Sequence, residues 1–408
     1  MSFSPEASGA GVRARARRRW PVRWRAIAWR WHAVAGLIVL PFLLTLALTG
    51  AVMVFFTGFQ TRLGTNPVVE PLPRAHAVSE QALAALAHVP EGRLLTYIAP
   101  RAPERAAWFE VLQGDTTYAL AVDPYRGEVL RLVDKGSTPF AWAERIHGTL
   151  LMGEVGDRLI EIAAWAALLM LLSGAVLWWP RGAQPPGSRF RVASRAKGRV
   201  WWRSLHASLG AWVGLLLLGF LLTGLTWTGV TGAKWLQVWY SFPAEKWYDV
   251  PASAKPPSAL NTAGLQEVPW GLTQVPMPVS TPIASAAPVD LDRAAAMARE
   301  LGFSGQYQIA QPRGEAGVFT ISRDSMSGDS QQPTGDRTVH VDRYSGRVLA
   351  DIRFEHYNGL ARTMAVATAL HQGDLGWWNA LINLLACAAV GLMCVAAGVM
   401  WWLRRPQR

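Results

Sequence analysis

Residues 31–50 read WHAVAGLIVLPFLLTLALTG, and residues 205–224 read LHASLGAWVGLLLLGFLLTG. Each stretch opens on a histidine, sets a glycine four residues later (Gly36, Gly210) and closes on a Thr-Gly pair (Gly50, Gly224). Apolar runs of about 20 residues match a hydrocarbon core of about 30 Å at about 1.5 Å per residue. Two further runs of that kind follow, so four transmembrane helices are expected, over 33–57, 158–179, 207–230 and 377–403. The first run is too long for the core of a signal peptide, and no persuasive cleavage site follows it. It is read as a retained anchor.

The net charge of +12 is unevenly placed. Residues 1–32, residues 180–206 and the tail after Leu403 hold 18 of the 40 basic residues and one of the 28 acidic ones, leaving −5 for the rest. That split is the positive-inside pattern and does not point to nucleic acid. Anionic lipid is partner enough for the basic loops. The chain then divides into a basic cytoplasmic N-terminus (1–32), a span (33–57) and an outer domain (58–157). A second span (158–179) leads into a basic cytoplasmic loop (180–206). The second half continues with a span (207–230), an outer domain with a Pro-rich insert (231–376), a span (377–403) and a cytoplasmic tail (404–408). Cys387 and Cys394, seven residues apart in the last span, are about 10 Å apart along a helix, too far for a disulfide.

The halves resemble one another beyond the spans. VDPYRGEVL (122–130) matches VDRYSGRVL (341–349), RIHGTLLMGEVG (145–156) resembles ALHQGDLG (369–376), and LWWPRG closes the first half as MWWLRRP closes the second. Four matches in one order mark an internal repeat. Two spans per half return the chain to its starting side, so the halves are expected as parallel repeats about an axis along the membrane normal. Each outer segment reads as α+β. A helix is expected after Val78, with Ser79 as its N-cap, and another after Asp290. Strands are expected at RLLTYIA, AAWFEVL, TTYALAVD and GEVLRLV, and again at QYQIA, GVFTIS, RTVHVD and GRVLADI. The Pro-rich 232–288 stretch is expected as an extended arm.

Of eight histidines, His76 and His88 read as surface residues and His340 as a strand residue, while His356 lies nearer the membrane. The other four match across the repeat, His32 with His206 and His147 with His371. Polar residues at membrane depth are costly and often functional. Two histidines facing each other across an axis can hold a flat cofactor between them, and haem iron takes neutral imidazoles of this kind. Four such residues make two layers, the layout of a transmembrane electron wire. One straight helix from His147 to Trp178 would run about 46 Å, so it must tilt, begin above the membrane, or break near Gly153 and Gly156. Arg30, Arg145 and Arg203 lie near these histidines and could meet haem propionates.

The HxxxG…TG spans, VDPYRGEVL, IHGTLLMG and SGAVLWWP resemble the PepSY-associated transmembrane family, iron-regulated proteins of the bacterial inner membrane, over about Trp24–Arg405. The resemblance implies PepSY-like domains in the periplasm, two b-type haems held by His32, His147, His206 and His371, and reduction of a ferric siderophore. The Pro-rich insert departs from the family pattern. PepSY domains are also tied to peptidase inhibition, so family membership alone does not fix the reaction. A regulatory or peptide-binding membrane protein and a metal or siderophore transporter stay open as alternatives, although no carboxylate cluster lies within the spans. No GxSxG or HExxH motif supports a hydrolase. The cytoplasmic loop is too short for a flavin or nicotinamide module, so electrons would come from a separate donor, quinol or a soluble reductase.

Overall fold

A computed structural model describes residues 22–179, 187–232, 278–282, 288–324, 332–357 and 359–404. Most of the Pro-rich stretch and the N-terminal 21 residues lie outside the described residues, as does the side chain of His356. Helices are numbered in chain order. Four are long and apolar enough to cross a membrane: α1 (Val22–Phe59), α4 (Gly153–Trp178), α5 (Gly198–Gly224) and α8 (Trp377–Trp402). The chain is thus built as a multi-pass membrane protein.

These helices pack on one another through Val39, Leu43 and Ala47 of α1, Ala164, Ala167 and Leu168 of α4, Leu217 and Leu221 of α5, and Val390 and Cys394 of α8. Lipid is as apolar as leucine, so contact here is driven by close packing, which small residues allow. Gly58 shows how close: a Cβ added there would lie 2.3 Å from that of Ala380. Leu37, Leu172, Leu215 and Leu385 stay exposed on the outside of the bundle, as lipid-facing residues do.

Between the spans the chain forms α2 (Val78–Ala87), β1 (Arg93–Ile98), β2 (Ala107–Gln113), β3 (Thr116–Val122), β4 (Val129–Asp134) and α3 (Pro139–Thr149). The second half gives α6 (Leu291–Glu300), β5 (Gln308–Ala310), β6 (Val318–Arg323), β7 (Arg337–Asp342), β8 (Val348–Arg353) and α7 (Gly359–Gln372). All eight strands join one antiparallel sheet in the order β4-β3-β2-β1-β5-β6-β7-β8. The strands of the two outer segments are therefore continuous, stitched by Thr96 opposite Ala310 and Ile98 opposite Gln308. One face, with Phe109, Leu120, Ile309, Ile321 and Val339, buries against α2 and α6, each such side chain contributing about 1.5–3 kcal/mol.

The matched VD…G turns adopt the same bonding. Asp123 Oδ1 accepts from Tyr125 N at 2.8 Å and Arg126 N at 3.2 Å, and Asp342 Oδ1 accepts from Tyr344 N and Ser345 N at 2.8 Å each. Gly127 and Gly346 both take φ +69°, which only glycine adopts cheaply.

One expectation needs correction. Ser79 does not cap α2, whose N-cap is Ala77, two residues earlier; its hydroxyl donates instead to Asp292 of α6, and its N–H to the same carboxylate at 3.0 Å. The cap gives way to a bond between the halves. The helix carrying His147 does not run on into the span, because Leu150 and Leu151 both turn left-handed (φ 50° and 61°) between α3 and α4. Gly153 is left-handed as well (φ 57°), so of the three arrangements expected for this stretch the chain takes the break near Gly153.

Candidate functional site: two pairs of histidines in the bundle

His32 on α1 places Nδ1 2.9 Å from the carbonyl of Met170 on α4. His206 on α5 places Nδ1 3.1 Å from the carbonyl of Met393 on α8. A carbonyl only accepts, so each Nδ1 carries the hydrogen and each Nε2 keeps a bare lone pair. The two rings meet at 6.2 Å between centroids with planes 84° apart.

The second pair reaches the same tautomer by another route. His147 on α3 sits with Nδ1 2.9 Å from Thr49 Oγ1, and His371 on α7 with Nδ1 2.6 Å from Thr223 Oγ1. Thr49 donates its own proton to Thr45 O at 2.8 Å, and Thr223 donates to Gly219 O at 2.7 Å. With the proton given to the carbonyl, each hydroxyl accepts from an Nδ1–H, the arrangement that leaves Nε2 free. The glycine after each threonine lies against the ring: a Cβ at Gly50 would meet His147 Cε1 at 3.5 Å and one at Gly224 would meet His371 Cε1 at 3.7 Å, both ordinary contact. Thr49 stands seventeen residues beyond His32, roughly 25 Å along α1, so the pairs occupy two levels of the bundle. The first is distal to the sheet and the second proximal to it. His371 also lies between Phe220 and Trp227, 5.2 Å from each ring.

All four imidazoles are half-buried, so each retains accessible surface. Among the described residues no group of three or more His, Cys, Asp or Glu could enclose a metal ion. Two imidazoles leave a bare ion short of donors, whereas a macrocycle brings its own. The distal separation suits such a group. With a metal–imidazole bond of about 2 Å and about 1 Å more to each ring centre, two rings across one ion have centroids about 6 Å apart.

Of the neighbours considered as propionate partners, Arg145 already has partners of its own: Ala141 O at 3.3 Å, Gly136 O at 2.7 Å and the Trp142 ring. The carboxylates at the start of α4 tie that helix to the chain after α5: Glu161 accepts from Thr231 N at 2.6 Å and Asp157 from Gly229 N at 3.0 Å.

Sequence reading found the four histidines but not what holds them. The Thr-Gly pairs signalled Thr49 and Thr223. Asn379 and Asn383, two amides four residues apart in an apolar helix, were a visible signal left unread. The carbonyls of Met170 and Met393 have no sequence signal. A family model described as PepSY-associated TM region matches residues 29–405. No curated protein matches the chain.

Proposed function

We propose, from the premise that this chain belongs to the PepSY-associated TM family, that it is a haem-containing transmembrane electron-transfer protein that reduces ferric siderophore. The observation that carries the reading is the shared geometry: four repeat-matched histidines, each engaged through Nδ1, which favours the tautomer with a free Nε2. Fixing the tautomer through the far nitrogen is how proteins prepare imidazole as a metal ligand. His32 and His206 would hold one b haem, and His147 and His371 the other. Bound haem supplies iron that takes up and passes on one electron at a time. The protein's part is to fix the ligands, keep them neutral and hold the two levels apart within an apolar bundle.

The halves are read as two parallel repeats in the bacterial inner membrane. Arginine concentrated at 1–32, 180–206 and 404–408 puts both termini in the cytoplasm and the sheet in the periplasm. The linker 180–206 has no room for a nucleotide module, so the donor is a separate quinol or soluble reductase. Ferric siderophore as acceptor rests on the family resemblance and on chemistry: hard oxygen donors hold Fe(III) well, and one electron converts it to Fe(II), which they hold less well.

Purified full-length protein should carry two haems per chain by pyridine haemochrome. His32→Ala and His206→Ala should lose the same haem, and His147→Ala and His371→Ala the other. Protein reduced, freed of reductant and mixed anaerobically with ferric siderophores should reoxidise as Fe(II) appears on a ferrous chelator. Full haem content in all four variants would remove the ligand assignment. Reduced protein that ignores every siderophore, yet reoxidises with a quinone, would remove the substrate.

A further inference from the structure

The two halves hold their sheet-proximal histidines differently. In the first half, α3 ends against bare backbone: a Cβ on Gly156 would fall 1.6 Å from Thr149 O, so the start of α4 packs directly under that turn. In the second half the end of α7 meets two side-chain amides, Asn379 and Asn383 of α8, which are 1% and 2% exposed. Asn383 Nδ2 donates to Leu370 O at 2.8 Å and to His371 O at 3.0 Å. Asn379 Nδ2 donates to Leu370 O at 3.1 Å and to Asn383 Oδ1 at 3.4 Å, and its Oδ1 accepts from Leu375 N at 3.2 Å. Every amide hydrogen of the pair has a partner. The first turns of α4, EVGDRLIE over 154–161, contain no amide side chain.

We propose that Asn379 and Asn383 are positioning residues for His371, an inference that rests on the haem reading above. Helix ends leave carbonyls unpaired, and a buried amide pair satisfies them only if it stays put. Here one of those carbonyls belongs to the histidine itself. Asn383 grips the main chain of His371 while Thr223 grips its ring, so the residue is fixed at both ends and Nε2 has one place to be. A buried asparagine pair in an apolar span is costly without such a task.

A purely capping role predicts lower stability with unchanged ligation, and a positioning role predicts altered ligation at one haem. The test uses full-length haem-loaded protein in detergent, with Asn383→Leu, which keeps the branched four-atom outline and removes the donors, and Asn379→Val, which leaves both bonds donated by Asn383 in place. Electron paramagnetic resonance, the two midpoint potentials and CO binding after reduction are read together. In Asn383→Leu the proximal low-spin signal should shift or turn high-spin, haem affinity at that site should fall about 10–100-fold, and reduced protein should bind CO at that haem alone. Asn379→Val should show the same change more weakly, with the distal signal intact in both. Wild-type spectra and potentials in both variants, with only a lower melting temperature, overturn this inference alone. A wild-type protein that binds no haem overturns the proposed function and this inference with it. Should Asn383→Leu fail to fold, the spectra of Asn379→Val decide.

Discussion

The bundle and the sheet each bury histidine beside threonine, with opposite outcomes. In the bundle His147 and His371 bond Thr49 and Thr223 through Nδ1 and keep accessible surface. In the sheet His340 on β7 lies opposite Thr320 on β6, with Nδ1 3.0 Å from Thr320 Oγ1, yet it is 1% exposed and its Nε2 has no partner. A threonine partner therefore does not by itself distinguish the two regions. What separates them is that the rings in the bundle keep accessible surface while His340 is sealed.

The largest expected effect tests the sealed side of that comparison. Burial lowers the pKa of His340 from 6.5 to about 4. The unfolded chain takes up a proton below pH 6.5 that the folded sheet refuses until about pH 4. Stability is thus full above pH 6.5, falls by about 1.4 kcal/mol per pH unit below it, and levels off near pH 4 after a loss of about 3 kcal/mol. The matched residue in the first half is Ala121, paired with Trp108, which has no titratable group. His340→Ala should be less stable at neutral pH but lose this acid slope. Denaturant titrations followed by the sheet signal at several pH values measure it, and an unchanged slope in the variant would refute the sealed-histidine account.

The next effect tests the open side, by contrasting side-chain with main-chain partners. Thr223→Val leaves an Nδ1–H without its acceptor and frees the tautomer, whereas Thr49→Val leaves His147 the carbonyl of Leu46, so the full effect is expected in Thr223→Val. Affinity for the proximal haem should fall about 10–100-fold and its potential should rise, because the ligand becomes less basic. Thr→Ser at either place should restore both. The distal partners are carbonyls, so Met170→Leu and Met393→Leu, which conserve volume, should change affinity by no more than about twofold. Equal losses at both levels, read by haem titration, would show that the hydrogen bonds do not set the ligands.

The sequence disclosed the parts of this design that repeat locally. Apolar length gave the spans, period-two patterning gave the strands, the HxxxG…TG recurrence gave His32 and His206, and the IHG/LHQG match gave His147 and His371. Three features escaped, each for a physical reason. The β1–β5 seam pairs Tyr97 with Ile309, and contact across that separation leaves no mark on either segment. The break after α3 lies near Gly153 as expected, but it begins on Leu150 and Leu151, which have no helix-breaking chemistry to announce it. The short helix α7, which brings His371 to Thr223, lay within what read as the end of a domain. Ser79 had the residue type of a cap, but the carboxylate of Asp292 competes for it across the fold.

The smallest expected effect separates the two members of the distal pair. Four residues after Met170 the first half has Gly174, and four after Met393 the second half has Ala397. A Cβ on Gly174 would lie 3.0 Å from His32 Cε1 and 3.3 Å from its Nδ1, so the ring must yield by a few tenths of an ångström. At Gly50 the same addition meets His147 Cε1 at 3.5 Å and Cys387 Sγ at 3.6 Å, ordinary contact. Gly174→Ala should therefore tilt His32 and shift the distal signal in electron paramagnetic resonance, with a haem affinity loss of about threefold, under 1 kcal/mol. Gly50→Ala should leave both signals in place. The reverse pattern would mean that His147 is the tighter-packed ring and that the main-chain grip on His32 has slack. A shift in neither variant would mean that neighbouring backbone does not limit either ligand, leaving the hydrogen bonds alone to orient them.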